Sequence, residues 1–217
     1  MTSTTDADLQ RMTCAARAAL ADDLMHLSEQ QWRTQSLCPE WNIEQVVAHL
    51  TAAASLGRFR WLRSIAASGF QPAVHNDRRL NEHLGSTPAE TLEWFRAVID
   101  STTAPSKDTA AYLGEVLVHA HDIRYPLGIA AHTDREALTQ VAHFFAQRNF
   151  TVPSRSMVRG LRLRATDGSF DHGAGPTVAG PTLALVMTMA GRRAYLDQLE
   201  GPGRQTLQNR TVAAATR

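Results

Sequence analysis

Lysine is almost missing from this chain: Lys107 is the only one, and arginine supplies the rest of the 22 basic residues. Set against 21 acidic residues this leaves a formal net charge of +1. No one-signed field of the kind that draws a protein to nucleic acid or to a membrane surface is therefore expected. Cysteine is scarce as well. Cys14 and Cys38 are too few for a disulfide framework or a cysteine-built zinc cluster, so a reducing cytoplasm is the expected compartment. No run approaches the roughly 20 apolar residues of a membrane span, and Met1 to Leu9 is polar, without the apolar core of a secretion leader. A glycine-rich phosphate loop, a nucleophile elbow and a His-Glu-x-x-His pattern are absent too, as are internal repeats.

What is present is the composition of a globular protein, with 43% hydrophobic and 20% charged residues in 217. The first two thirds read as helices with legible starts. Leu9, Met12, Ala16, Leu20 and Leu24 recur at helical spacing from Asp6 to about His26. Asn42 followed by Gln45 forms a capping box for a helix reaching about Ala67. Thr87-Pro88-Ala89-Glu90 opens another, to about Ile99, with a cap, a first-turn proline and a reciprocal glutamate. A helix from about Thr109 runs into Arg124 before Pro126 and Gly128, and Thr133-Asp134-Arg135-Glu136 repeats the capping pattern for a helix through Arg148. Several amphipathic helices without a strand pattern imply an antiparallel bundle over residues 1–151.

Near Pro153 the pattern changes. Leu161, Leu163 and Ala165 alternate with Arg162 and Arg164, a strand period, and Asp167-Gly168 follows as a turn. Helical pieces follow from Pro181 to Met189 and from Arg193 to Leu199. The expectation is a small α+β domain over residues 152–210 with a disordered tail at 211–217, making the whole chain α+β.

Among nine histidines, the informative ones have computable helical positions. Glu115 and His119 are four apart and project about 40° from one another, one turn above the other. Asp122 joins that face, which borders the apolar stripe of Leu113, Val116, Leu117, Ala120 and Ile123. A carboxylate and an imidazole so stacked suit a divalent metal; the alternative is a Glu–His pair on the helix surface. His121, about 200° from His119 around the helix, points elsewhere. His49 borders the stripe of Ile43, Val47, Leu50 and Ala54 on a second helix. It is either a third metal ligand or a core histidine satisfied by a carbonyl. Three protein ligands leave a coordination position open, as catalytic sites do; the set suits zinc or a facial-triad iron. Cys38, before Pro39, has no base tied to it in sequence and reads as a buried structural thiol. Trp41, Trp61 and Trp94 read as core or pocket-wall aromatics.

The run Trp32, Ser36-Leu37-Cys38-Pro39-Glu40-Trp41-Asn42-Ile43 and Val46-Val47-Ala48-His49-Leu50 resembles the amino-terminal domain of the mycothiol-dependent maleylpyruvate isomerases. Gly114-Glu115-Val116-Leu117-Val118-His119-Ala120-His121-Asp122-Ile123-Arg124, with Pro126-Leu127-Gly128, resembles that family's second signature. Thr177 to Pro181, Ala190-Gly191-Arg192 and Leu199 to Gly203 resemble its small sterol-carrier-like domain. The resemblance implies a DinB-like four-helix bundle whose metal, usually Zn2+, is held at His49, Glu115 and His119. It implies a cytoplasmic enzyme in which mycothiol, its sulfur activated by the metal, adds to a small electrophile. In the founding reaction the sulfur adds to the cis double bond of maleylpyruvate, the new single bond rotates, and expulsion of the thiolate leaves fumarylpyruvate. S-transfer is the variant chemistry. Arg192 is the candidate for binding a substrate carboxylate, Asp122 for orienting a ligand histidine, and a homodimer is the expected assembly. Two further readings of the scaffold are a metal-dependent hydrolase using a bound water and a non-enzymatic ligand-binding or regulatory module.

Overall fold

The structure, a computed structural model, describes residues 4–55, 79–103, 108–130, 133–150 and 152–215. Trp61, Lys107 and the expected continuation of the second long helix to residue 67 lie outside those residues. The chain separates into two compact units, Met1–Ala131 and His132–Arg217. That boundary precedes the expected one at 151/152.

In the first unit, α1 (Asp6–Leu24) starts at Thr5 and the short α2 (Glu29–Trp32) at Ser28. In each, the capping hydroxyl and the side chain three residues on satisfy one another's backbone N–H. α3 (Ile43–Ser55) carries the predicted box: Asn42 N–H donates to Gln45 Oε1 and Gln45 N–H to Asn42 Oδ1, both at 2.9 Å. α4 (Pro88–Arg96) is capped by Thr87, but its expected reciprocal bond is displaced. The Glu90 carboxylate accepts from Ser86 N–H at 2.7 Å, one residue before the cap. α5 (Thr109–Leu127) runs through Pro126 and ends at Gly128, whose φ of 65° is left-handed and suits a residue without a Cβ.

These four long helices form a bundle. α1 packs on α5 and α4, and α3 packs on the same two. Leu20, Leu24, Ile43, Val47, Leu50, Phe95, Val116, Ala120 and Ile123 meet in one core. The stripes read from α3 and α5 are all buried, whereas Met12 and Ala16 of α1 are half-buried and Arg17 is buried beside them. No helix among the described residues is long and apolar enough to cross a membrane.

The second unit begins with α6 (Arg135–Gln147). Its cap is Asp134 rather than Thr133: Oδ1 accepts from Glu136 N–H at 2.8 Å. Packing assigns this helix to the second unit, because its apolar face, including Val141 and Phe145, is buried and its main helical contact is with α8. After α7 (Ser154–Val158) come β1 (Arg162–Ala165), β2 (Asp171–Gly173) and β3 (Thr177–Gly180), in the order β2-β1-β3. β1 is antiparallel to β2 and parallel to β3, with Leu163 opposite both His172 and Val178. Leu163 and Ala165 are buried and Arg162 and Arg164 exposed, the period of two read from sequence. α8 (Thr182–Met189) is buried nearly all round, a 3-10 helix spans Arg193–Gln198, and α9 (Arg204–Ala215) closes the chain. Residues 211–215, expected to be disordered, continue α9. Thr211 is 1% exposed, and Arg210 holds the Met157 and Arg159 carbonyls at 2.7 and 2.8 Å. The fold is α+β.

Candidate metal centre

α3 and α5 bring three side chains together. His49 Nε2 lies 3.1 Å from Glu115 Oε1, and the ligand-type atoms of His49, Glu115 and His119 all lie within 4.8 Å of one another. The two imidazole rings meet edge-on, centroids 5.1 Å apart. The Trp41 ring stands over both, at 4.7 Å from His49 and 6.2 Å from His119. None of the three candidate ligands is sealed off; the Glu115 side chain is 28% exposed. Two imidazoles and one carboxylate within this span are a donor set that suits a divalent metal. The proton shared by His49 Nε2 and Glu115 Oε1 occupies a place where a cation can substitute for it.

The charges agree with that chemistry. Burial is the largest single influence and pushes the Glu115 carboxyl up, but the hydrogen bond with His49 and the charges of His49, His119 and Arg17 together outweigh it. The acid is held below its usual range and ionised. His121, two residues past His119, is buried outside the cluster. Burial, with Arg124 beside it, pushes its pKa down to about 4 against the opposing pull of Asp122.

Behind His119 sits a second layer. Asp122 is fully buried, and its Oδ2 lies 2.9 Å from His119 Nδ1. A carboxylate oxygen only accepts, so Nδ1 donates to it, and in the neutral ring this leaves the lone pair on Nε2. The same oxygen accepts from the Cys38 thiol at 3.1 Å, and Sγ is 3.6 Å from Nδ1. Cys38 therefore has a carboxylate and an imidazole beside it, a relation sequence reasoning missed. The contact joins a loop to a helix across 84 positions, and no periodicity reaches a loop.

The loop itself is tied to α5 at one residue. Pro126 has no N–H, so the Asp122 carbonyl lacks its i+4 helical donor; the Leu37 N–H takes that carbonyl at 3.1 Å. Within the loop, Cys38 N–H donates to Ser36 Oγ at 3.0 Å, and Gln35 Nε2 and Trp41 N–H donate to the Cys38 carbonyl at 2.6 and 3.1 Å. These bonds explain how Cys38 and Trp41 are held against His119.

The remaining candidates fall elsewhere. Trp94 is 38% exposed, neither core nor wall of this centre. Arg17 is buried on α1, its Nη1 donating to the Val98, Ile99 and Ser101 carbonyls at 3.3, 3.4 and 2.9 Å. Burial pushes its pKa down, and nearby Cys14 and Glu115 oppose that. Arg192 is in the second unit, where Nη1 donates to the Ala190 carbonyl at 2.7 Å.

Residues 14–111 match the family model of the mycothiol maleylpyruvate isomerase N-terminal domain. Two crystal structures are similar over most of their length: the mycothiol-dependent maleylpyruvate isomerase, at 15% identity, and a histidine-to-alanine mutant of it, at 16%. Each aligns at a TM-score of 0.65, covering 93% of this chain and 96% of its own. No curated protein matches the sequence.

Proposed function

We propose, from the match of residues 14–111 to the mycothiol maleylpyruvate isomerase N-terminal domain model, a metal-dependent enzyme that uses mycothiol or a similar small thiol. His49, Glu115 and His119 would hold the metal, Zn2+ by the family resemblance. The observation that carries the reading is their convergence from two helices to within 4.8 Å, with all three side chains left partly exposed. A divalent metal bound there supplies a Lewis acid that lowers the pKa of a thiol reaching it.

The chain's own groups have separable tasks in this account. Asp122 holds the Nδ1 proton of His119 and so presents Nε2 to the metal position. The ionised Glu115 contributes negative charge that neutralises part of the metal's. Trp41 walls one side and limits water. Arg192 is proposed for a substrate carboxylate on the family resemblance, since a guanidinium fork pairs with carboxylate oxygens in two parallel bonds. The reaction class is addition of a thiol sulfur to a small electrophile, either released again after cis–trans isomerisation, as from maleylpyruvate to fumarylpyruvate, or retained as S-transfer.

The test is a thermal-shift and turnover series on metal-loaded protein with mycothiol, glutathione, cysteine and no thiol, using maleylpyruvate as electrophile. A shift and turnover specific to mycothiol are expected. Hydrolytic turnover of an ester or amide panel without any thiol would replace this reading with a hydrolase. Retained metal with no response to any thiol would leave a binding module.

A further inference from the structure

The thiol of Cys38 lies against the candidate metal centre without a task in the chemistry so far. It is 8% exposed, and the loop bonds described above fix its backbone on both sides. Its Sγ meets one oxygen, Asp122 Oδ2, which also receives the His119 Nδ1 proton. Because that oxygen has only lone pairs to offer, both neighbours donate to it. A thiolate facing the buried carboxylate at 3.1 Å would place two anions together without water. The sulfur therefore acts as a donor.

The Cys38 S–H from the loop and the His119 N–H from α5 converge on Oδ2, so one position of that oxygen satisfies both. The carboxylate then defines the plane and tautomer of the His119 ring. We propose that Cys38 is a positioning residue: acting through Asp122, its S–H fixes His119 so that Nε2 is presented to the position shared with His49 and Glu115. The proposal rests on the metal reading of those three residues. Cys38, His119 and Asp122 also bring three ligand-type atoms within 4.8 Å, so direct ligation by sulfur is the rival arrangement. The 2.9 and 3.1 Å separations about Oδ2 are hydrogen-bond lengths with protons to fill them.

The test compares full-length wild type with Cys38→Ser, which keeps a donor, and Cys38→Ala, which removes it. Zinc affinity is measured by competition with a chromophoric chelator. His119 tautomer is read in metal-free protein by long-range proton–nitrogen NMR correlations, and the cobalt-substituted protein by absorption. Wild type and Cys38→Ser should bind zinc alike with His119 protonated on Nδ1. Cys38→Ala should lose about tenfold in affinity, the scale for outer-layer partners of metal-bound histidines, and show mixed tautomers. Should Cys38→Ala not fold, Cys38→Val fills the space without a donor and is read the same way.

Unchanged affinity and tautomer in the donor-free variant would overturn the proposal. So would a sulfur-to-cobalt charge-transfer band in wild type that Cys38→Ser abolishes, since that makes Cys38 a ligand. Full metal retention in both His49→Ala and His119→Ala overturns the metal reading itself, and this proposal with it. That pattern is distinct from the first two, in which the histidine variants lose the metal.

Discussion

The Leu37 N–H donates to the Asp122 carbonyl at 3.1 Å because Pro126, one helical turn further on, has no proton to give it. One proline thus leaves an acceptor open inside α5, and a loop fills it. The side chain of the same Asp122 accepts from the loop's Cys38 and from His119. A helix residue, a loop and a candidate metal ligand are coupled at one point.

Pro126→Ala supplies the missing N–H and sets up competition for that carbonyl. The Leu37 amide should then exchange with solvent faster than in wild type, measured by NMR hydrogen exchange, while amides in the α3 core keep their protection. Equal Leu37 protection in both proteins would mean the proline is not what frees the acceptor.

Arg17 ties α1 to the segment after α4 through three backbone carbonyls. Arg17→Met keeps the bulk but leaves those acceptors without the guanidinium. A loss of about 2–4 kcal/mol in urea unfolding is expected from removing charged, buried hydrogen bonds. A loss below about 1 kcal/mol would show that the acceptors find other partners.

Asp167 caps α8 from a distance of 15 residues: its Oδ1 accepts from the Thr182 N–H at 2.8 Å and the Thr182 hydroxyl at 2.6 Å. Burial raises its pKa, but these bonds, with Arg135 nearby, hold it below the ordinary Asp value. A carboxyl depressed in the folded state adds stability above its unfolded pKa and loses it as pH falls through the folded one. Asp167→Ala should therefore cost about 1 kcal/mol at neutral pH. The cost should shrink below about pH 4, where the unfolded carboxyl takes its proton. A wild type–variant difference that stays constant down to pH 2 would contradict the capping role.

Arg192→Ala tests the carboxylate assignment. The KM for an anionic electrophile should rise about tenfold or more, the worth of one charge-assisted pair, with metal content unchanged. An unchanged KM removes Arg192 from the substrate site.

The site was legible where helical geometry carries information. Glu115, His119 and Asp122 share a face at intervals of four and three, and His49 borders a clean apolar stripe, so periodicity alone aims them inward. Cys38 was not legible, because a loop has no period and its partner is remote in sequence. Pro126 carries a second readable signal besides the helix stop, a carbonyl one turn earlier without its donor. Caps were read best where the motif was self-contained, as at Asn42 and Gln45. At Thr87 the reciprocal Glu90 reached past the cap to Ser86, and at Thr133 the neighbouring Asp134 won, since a carboxylate competes strongly for helix N–H groups. The allegiance of α6 depends on which apolar surface covers it, and its own amphipathic pattern does not encode that.

The central claim is that His49, Glu115 and His119 jointly hold one metal. Elemental analysis of wild type, His49→Ala, Glu115→Gln and His119→Ala, each equilibrated with limiting zinc and desalted, tests it most directly. One zinc per chain in wild type, and loss of most of it in each variant with folding intact by circular dichroism, is the predicted result. Wild type without zinc, or variants that all keep it in full, would contradict the account.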